Sequence, residues 1–103
     1  MIRQMAVVIK HKKIKLGRRS IDAVLIGLLK KNLIVLKGSK GYVMCGYLNL
    51  KAAEKFKEVA VKIIGVSTIN QALESRVFSC TYPAKRLGIY KGQPIKEVLK
   101  VIA

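Results

Sequence analysis

The chain predicts a single α+β domain, and three observations predict it. Its first half alternates short apolar runs with charged or glycine-containing turns, the pattern of an antiparallel β-meander. Its second half mixes helical spacing with short strand-like runs, and strands followed by interleaved helices and strands argue against a repeating βαβ wheel. At 103 residues the chain has room for one domain and one core.

The elements follow in order. Met5–Ile9 reads as a first strand, His11-Lys12-Lys13 as a charged turn and Ile14–Leu16 as its return. Gly17-Arg18-Arg19 is a basic turn. Ser20–Leu29 is apolar and β-branched, consistent with a buried strand or a piece of helix. Lys30-Lys31-Asn32 is a hairpin tip, because Asn tolerates left-handed backbone, and Leu33–Lys37 is the partner strand. Gly38–Gly41 turns the chain into a strand over Tyr42–Leu48.

Asn49 is placed to cap a helix over Leu50–Ala60, with Ala52, Ala53, Phe56, Val59 and Ala60 on one face. Glu54–Lys57 and Glu58–Lys62 have the spacing of surface ion pairs on the other. Val61–Val66 reads as a strand. Thr68-Ile-Asn-Gln71 has the form of a capping box before a short helix that turns Ile69, Ala72 and Leu73 inward. Arg76–Cys80 is a further strand. Thr81-Tyr82-Pro83 opens a helix, since proline suits a first turn; Gly88 stops it and Ile89 packs back. Pro94 opens the last helix, whose Ile95, Val98, Leu99 and Ile102 form a core-facing stripe.

Composition narrows the function classes. Hydrophobic residues make up 51% of the chain, high for so small a body, and burial between copies in a homo-oligomer would resolve the excess. Twenty-one Lys and Arg stand against five acids, a net charge of +16 that favours anionic partners. The apolar runs are too short for a signal peptide or a bilayer span, so a cytoplasmic protein without a membrane partner is expected. In that compartment Cys45 and Cys80 are reduced thiols. One His and two Cys cannot complete a usual zinc site, so no metal is expected, and no phosphate-loop frame or other cofactor motif is present. The cluster Lys10, Lys12, Lys13, Lys15, Arg18 and Arg19 is a candidate nucleic-acid surface, although aromatic residues are few and not arranged for stacking on bases.

Cys45 is the candidate for chemistry. A nucleophilic thiol needs a base, a cation or a helix N-terminus to stabilise the thiolate. The only histidine, His11, is far away in sequence, whereas a helix start and many cations lie closer. The competing view is that a free cysteine on a strand packs as a small apolar residue. Gly46 beside it suggests a bulge or a close backbone approach. Cys80 reads as core. Glu54 and Glu58 read as a solvated, ion-paired face rather than a catalytic pair. Asp22, the only acid in the first half, belongs at a strand edge or beside a base.

The block Gly41-Tyr-Val-Met-Cys-Gly46, followed by Ile64-Gly-Val-Ser-Thr68, Ala72-Leu73, Thr81-Tyr82, Gly88-Ile89 and Gly92, resembles the YunC-like family of small bacterial and archaeal domains. The resemblance runs from about Ser20 to the C-terminus, and G-Y-x-M-C-G is its most specific part. Gln93 departs from it where Met is expected, and Cys80 lies outside the pattern. The family implies the fold and draws attention to Cys45, but implies no reaction. Three functions are therefore weighed. The first is an oligomeric binding or regulatory module for a small anion, with Cys45, Tyr42, Gly46, Thr81 and Tyr82 as ligand-binding residues. The second is a thiol enzyme or redox protein using Cys45. The third is nucleic-acid binding through the basic cluster.

Overall fold

The structure, a computed structural model, describes residues 9–47 and 49–103. Ten elements follow one another: β1 (Ile9–Leu16), β2 (Arg19–Gly27), β3 (Asn32–Lys37), β4 (Tyr42–Met44), α1 (Leu50–Lys55), β5 (Ala60–Lys62), α2 (Ile69–Leu73), β6 (Ser79–Cys80), α3 (Tyr82–Arg86) and α4 (Ile95–Ile102). The strands form one mixed sheet in sequence order. β1 to β4 are antiparallel neighbours, as the meander predicts. β4 and β5 are parallel, with α1 as the crossover, and β6 returns antiparallel. The α+β class stands.

Side-chain alternation divides the sheet into two faces. Ile21, Ala23, Leu25, Ile34, Leu36, Val43, Cys45, Val61 and Ile63 point to the inner face and join one core with the stripe of α4 and with Ile69 and Ala72 of α2. Val24, Ile26, Val35 and Met44 point outward and are only half-buried. On that outer face α1 covers the β4–β5 end, where Ala53 and Ala60 pack with Tyr42, Met44 and Leu50.

Several boundaries differ from the sequence-based expectation. His11-Lys12-Lys13 is not a turn: β1 runs unbroken through it, paired residue for residue with β2. An edge strand keeps water on its free side and so accepts lysines that an interior strand would reject. The first turn of the meander is Gly17-Arg18, where Gly17 takes φ +67 at the first position of a two-residue hairpin. The expected strand over Met5–Val8 lies outside the described residues. Of Ser20–Leu29, the part up to Gly27 resolves as strand, because it is flanked by two partners, and Leu28 and Leu29 pass into the β2–β3 turn.

α1 ends five residues before its expected limit. Lys57 adopts φ 57, Glu58 N donates to Ala53 O (3.0 Å) and Lys57 N donates to Glu54 O (3.0 Å). This is a Schellman stop built without glycine. It frees Val59 to return the chain and lets Ala60 begin β5. The expected Glu54–Lys57 and Glu58–Lys62 pairs are not formed. Both oxygens of Glu54 accept from Tyr82 N, at 2.9 and 3.1 Å, and Glu58 accepts from Tyr42 OH at 2.7 Å.

Caps hold the remaining elements. Thr68 Oγ1 accepts from Gln71 N (3.0 Å), while Gln71 Oε1 accepts from Ser67 N (2.7 Å), one residue earlier than the standard box. Two glycines are fixed by close approach. A side chain on Gly38 would collide with the Ile102 carbonyl, and one on Gly41 with the Val59 carbonyl. The C-terminal helix is thereby seated on the β3–β4 turn, where Lys40 N also donates to Ile102 O (2.8 Å).

Candidate functional site

A two-lobed basin opens where the N-terminal ends of β1 and β3 meet the C-terminal ends of β2, β4 and β5. The larger lobe, about 630 Å³, lies between Lys10 and Lys12 of β1 and Thr68 and Asn70 at the start of α2, over Leu25 and Ile69. The smaller, about 410 Å³, lies between Lys30 and Lys31 of the β2–β3 hairpin and the loop Ile64–Ser67, over Cys45. Asn32 and Ser67 line both lobes, and Asn32 Nδ2 donates to Ser67 O across the junction (2.8 Å).

Charge is segregated around this basin. Four lysines line its two lobes, and none of the five acids does. The acids are engaged elsewhere. Asp22 lies 3.0 Å from His11 Nε2 and 3.4 Å from Lys13 Nζ on the outer face, and those two hydrogen bonds, His11 first, hold its carboxyl below the usual value. Glu74 pairs with Lys96 (2.9 Å). Glu97 accepts from Gln93 Nε2 (3.4 Å). The amides of Gly65 and Val66, in the wall of the smaller lobe, have no acceptor among the described residues. Lysines and free amides without a competing carboxylate make a concavity suited to an anion.

Cys45 forms part of the floor and is 4% exposed. Its N–H donates to Ile34 O (3.2 Å), its Sγ accepts from Ile34 N (3.5 Å) and donates to Asn32 O (3.7 Å). The sulfur thus continues the β3–β4 ladder past its last backbone rung. His11 borders the larger lobe, and its Nε2 lies 3.0 Å from Asp22 on the outer face of β1. Cys80 is also buried and free, and burial pushes its thiol up.

Of the ligand-binding residues predicted with Cys45, Gly46 is here and Tyr42, Thr81 and Tyr82 are not. Gly46 lines the smaller lobe, but its position is open enough for a side chain. Tyr42 is three residues before Cys45, so the strand turns it to the opposite face. There its hydroxyl donates to Glu58, and burial followed by that carboxylate raises its pKa to about 12. Thr81 is fully buried: its Oγ1 donates to Glu58 O (2.7 Å) and accepts from Ala60 N (3.1 Å) and Ala84 N (3.4 Å). That hydroxyl ties α1's exit, β5 and α3 together and has nothing left for a ligand. Tyr82 is exposed and borders a separate cleft with Glu54, Pro83 and Leu87.

The basic cluster is divided in the same way. Register places Lys10 and Lys12 on the inner side of β1, at the basin, and Lys13 and Lys15 on the outer side. Arg18 sits in the hairpin turn, and Arg19 donates to Ala103 O (3.2 Å). Asn32, Ser67 and Asn70 line the basin although the sequence named none of them as a site residue; Ser67 was marked only as part of the family pattern. Lys30 and Lys31 were visible as a hairpin tip, but nothing in their spacing joins them to the Ile64–Ser67 loop. Among the described residues no group of three or more His, Cys, Asp or Glu is placed to hold a metal, and no helix is long and apolar enough to cross a membrane.

Comparison with known proteins agrees with this architecture. A family model described as a domain of unknown function (DUF1805) matches residues 44–102. The uncharacterized protein YunC of Bacillus subtilis (strain 168) is 41% identical over 81 residues, covering 75% of this chain and 80% of that protein. The crystal structure of a protein of unknown function from Thermoplasma acidophilum superposes with a TM-score of 0.91 at 28% identity, over 99% of this chain and 100% of that one.

Proposed function

The chain belongs to the YunC-like family of the domain of unknown function DUF1805, and on that premise we propose that it is a binding module for a small anion held in the basin beside Cys45. The observation that carries this reading is the charge segregation: four lysines line two adjoining hollows, two amides in the wall of the smaller one have no acceptor among the described residues, and every acid is placed elsewhere. Lys30 and Lys31 supply the charge, Asn32 and Ser67 set the spacing between the lobes, and Cys45 shapes the floor.

The surroundings of Cys45 favour this role over a nucleophilic one. Its hydrogen-bond partners are two backbone groups, with no base in reach, and its sulfur is nearly sealed. The division of the basic cluster between two faces likewise favours a local anion over an extended nucleic acid. Self-association has a surface to use: Val24, Ile26 and Val35 form an apolar row on the outer face that α1 leaves open, and a second copy laid on it would bury them.

Titration with inorganic phosphate, followed by amide chemical shifts, tests the anion site. Shifts centred on Lys31, Asn32, Gly65 and Ser67, lost in Lys30→Gln/Lys31→Gln, are expected. Shifts scattered over the whole lysine-rich surface would refute it. Light scattering tests the self-association, and a monomer at every concentration removes it.

A further inference from the structure

The rim of the basin carries a second kind of surface. Three loops meet there: the β2–β3 tip, the loop after β4 and the loop after β5. Each presents apolar side chains to water. Leu29 is 91% exposed, Ile64 50%, Tyr47 49% and Leu28 45%. The tip is a formed turn, closed by Leu28 N donating to Lys31 O (2.9 Å), so Leu29 is held out by backbone geometry. Lys30 and Lys31 follow it directly, and Lys10 and Lys12 stand across the larger lobe.

We infer that this end of the sheet docks on the surface of a membrane rich in anionic phospholipid. Leu28, Leu29, Tyr47 and Ile64 enter the headgroup layer, and the lysines of the basin take lipid phosphates. The inference rests on the anion-binding reading of the same basin and names its ligand as a lipid headgroup. Charge complementarity selects this occupant. A second copy would bring two lysine-ringed rims together, whereas an anionic leaflet meets them with opposite charge. Apolar tips ringed by lysines, with an aromatic residue at the boundary, match the layering of a bilayer interface: apolar below, charged above, an amphipathic ring between. Docking of this kind uses no spanning segment, so the sequence-based expectation of no membrane partner, which came from segment length, does not bear on it.

The test is co-sedimentation of the full chain with vesicles of phosphatidylcholine alone and of phosphatidylcholine mixed with phosphatidylglycerol, at about 0.15 M salt. Binding to the mixed vesicles is expected, with little to phosphatidylcholine alone. Leu29→Ser, at a position too exposed to matter for folding, and the double variant L28S/L29S are expected to weaken binding, the double variant by about tenfold. Both are expected to keep the phosphate-induced shifts of the basin. Phosphate shifts without vesicle binding would overturn the docking and leave the anion site standing. Vesicle binding unchanged in L28S/L29S would also overturn it, as non-specific attraction of a cationic protein. Loss of a dimer in L28S/L29S would assign the rim to a second copy and overturn it too. Absence of phosphate shifts in the basin would overturn both proposals.

Discussion

Replacing Thr81 by valine tests the most consequential reassignment made by the structure, that of a sequence-predicted ligand residue to a structural joint. Valine keeps the volume and removes the hydroxyl. Ala60 N then loses its acceptor (3.1 Å) in a fully buried setting, which costs about 1–3 kcal/mol. The cap of α3 is lost as well, at about 1 kcal/mol, with a small share for the long bond from Ala84 N (3.4 Å). Together the expected loss is about 2–4 kcal/mol, or roughly 10–25 °C in Tm for a domain of this size. Equilibrium denaturation in urea reads it directly. Thr81→Ser keeps the hydroxyl and is expected to lose less than about 1.5 kcal/mol, the range for removing one methyl group. A Thr81→Val protein within about 0.5 kcal/mol of wild type, the usual spread for an inconsequential surface change, would refute the reasoning.

Other outcomes follow from the same geometry. Gly38→Ala places a methyl group against the Ile102 backbone and is expected to destabilise by about 1–3 kcal/mol or more, seen as a lower urea midpoint; an unchanged midpoint would mean α4 does not seat there. Tyr42 is raised from 10.0 to about 12, so the folded state holds its proton more tightly; the resulting stability is complete below pH 10.0 and lost as pH climbs toward 12. Ultraviolet titration is expected to show a late phenolate that is absent in Tyr42→Phe and earlier in Glu58→Gln; a high-pH titration unchanged by Tyr42→Phe would contradict it. Cys45→Ala leaves Ile34 N without an acceptor and is expected to cost about 1–3 kcal/mol, whereas Cys45→Ser retains one. Iodoacetamide is expected to label both thiols more slowly in the folded protein than in urea, measured by mass spectrometry, since both are buried.

Much of the fold was legible because its signals are local. Thr68, Thr81 and Asn49 cap helices as their spacing suggests, each accepting a backbone N–H three residues on. Gly88 takes φ +93 after α3, and the four-residue stripe of α4 is buried. The misread pieces are those where a distant partner decides. Lys12 and Lys13 look like a turn until β2 is laid beside them. Lys57 carries no sign that it will take the left-handed backbone that glycine usually supplies. The family pattern also changes meaning: Gly41 admits Val59, Tyr42 holds Glu58 and Thr81 joins three elements, while Cys45, Gly46 and the stretch Ile64–Thr68 reach the basin.

By itself the sequence determined the α+β class, the helix starts, the core stripe of α4, the family and the excess of positive charge. Each depends on residues a few positions apart or on composition. Only the tertiary structure decided which lysines share a space and which cysteine surroundings exist. Strand register sends neighbours such as Lys12 and Lys13 to opposite faces, while it brings Lys10 to one hollow and Lys31 to the adjoining one, with Ser67 lining both. A binding site is made of proximity in space, and in a sheet that proximity is set by pairing between strands rather than by order along the chain.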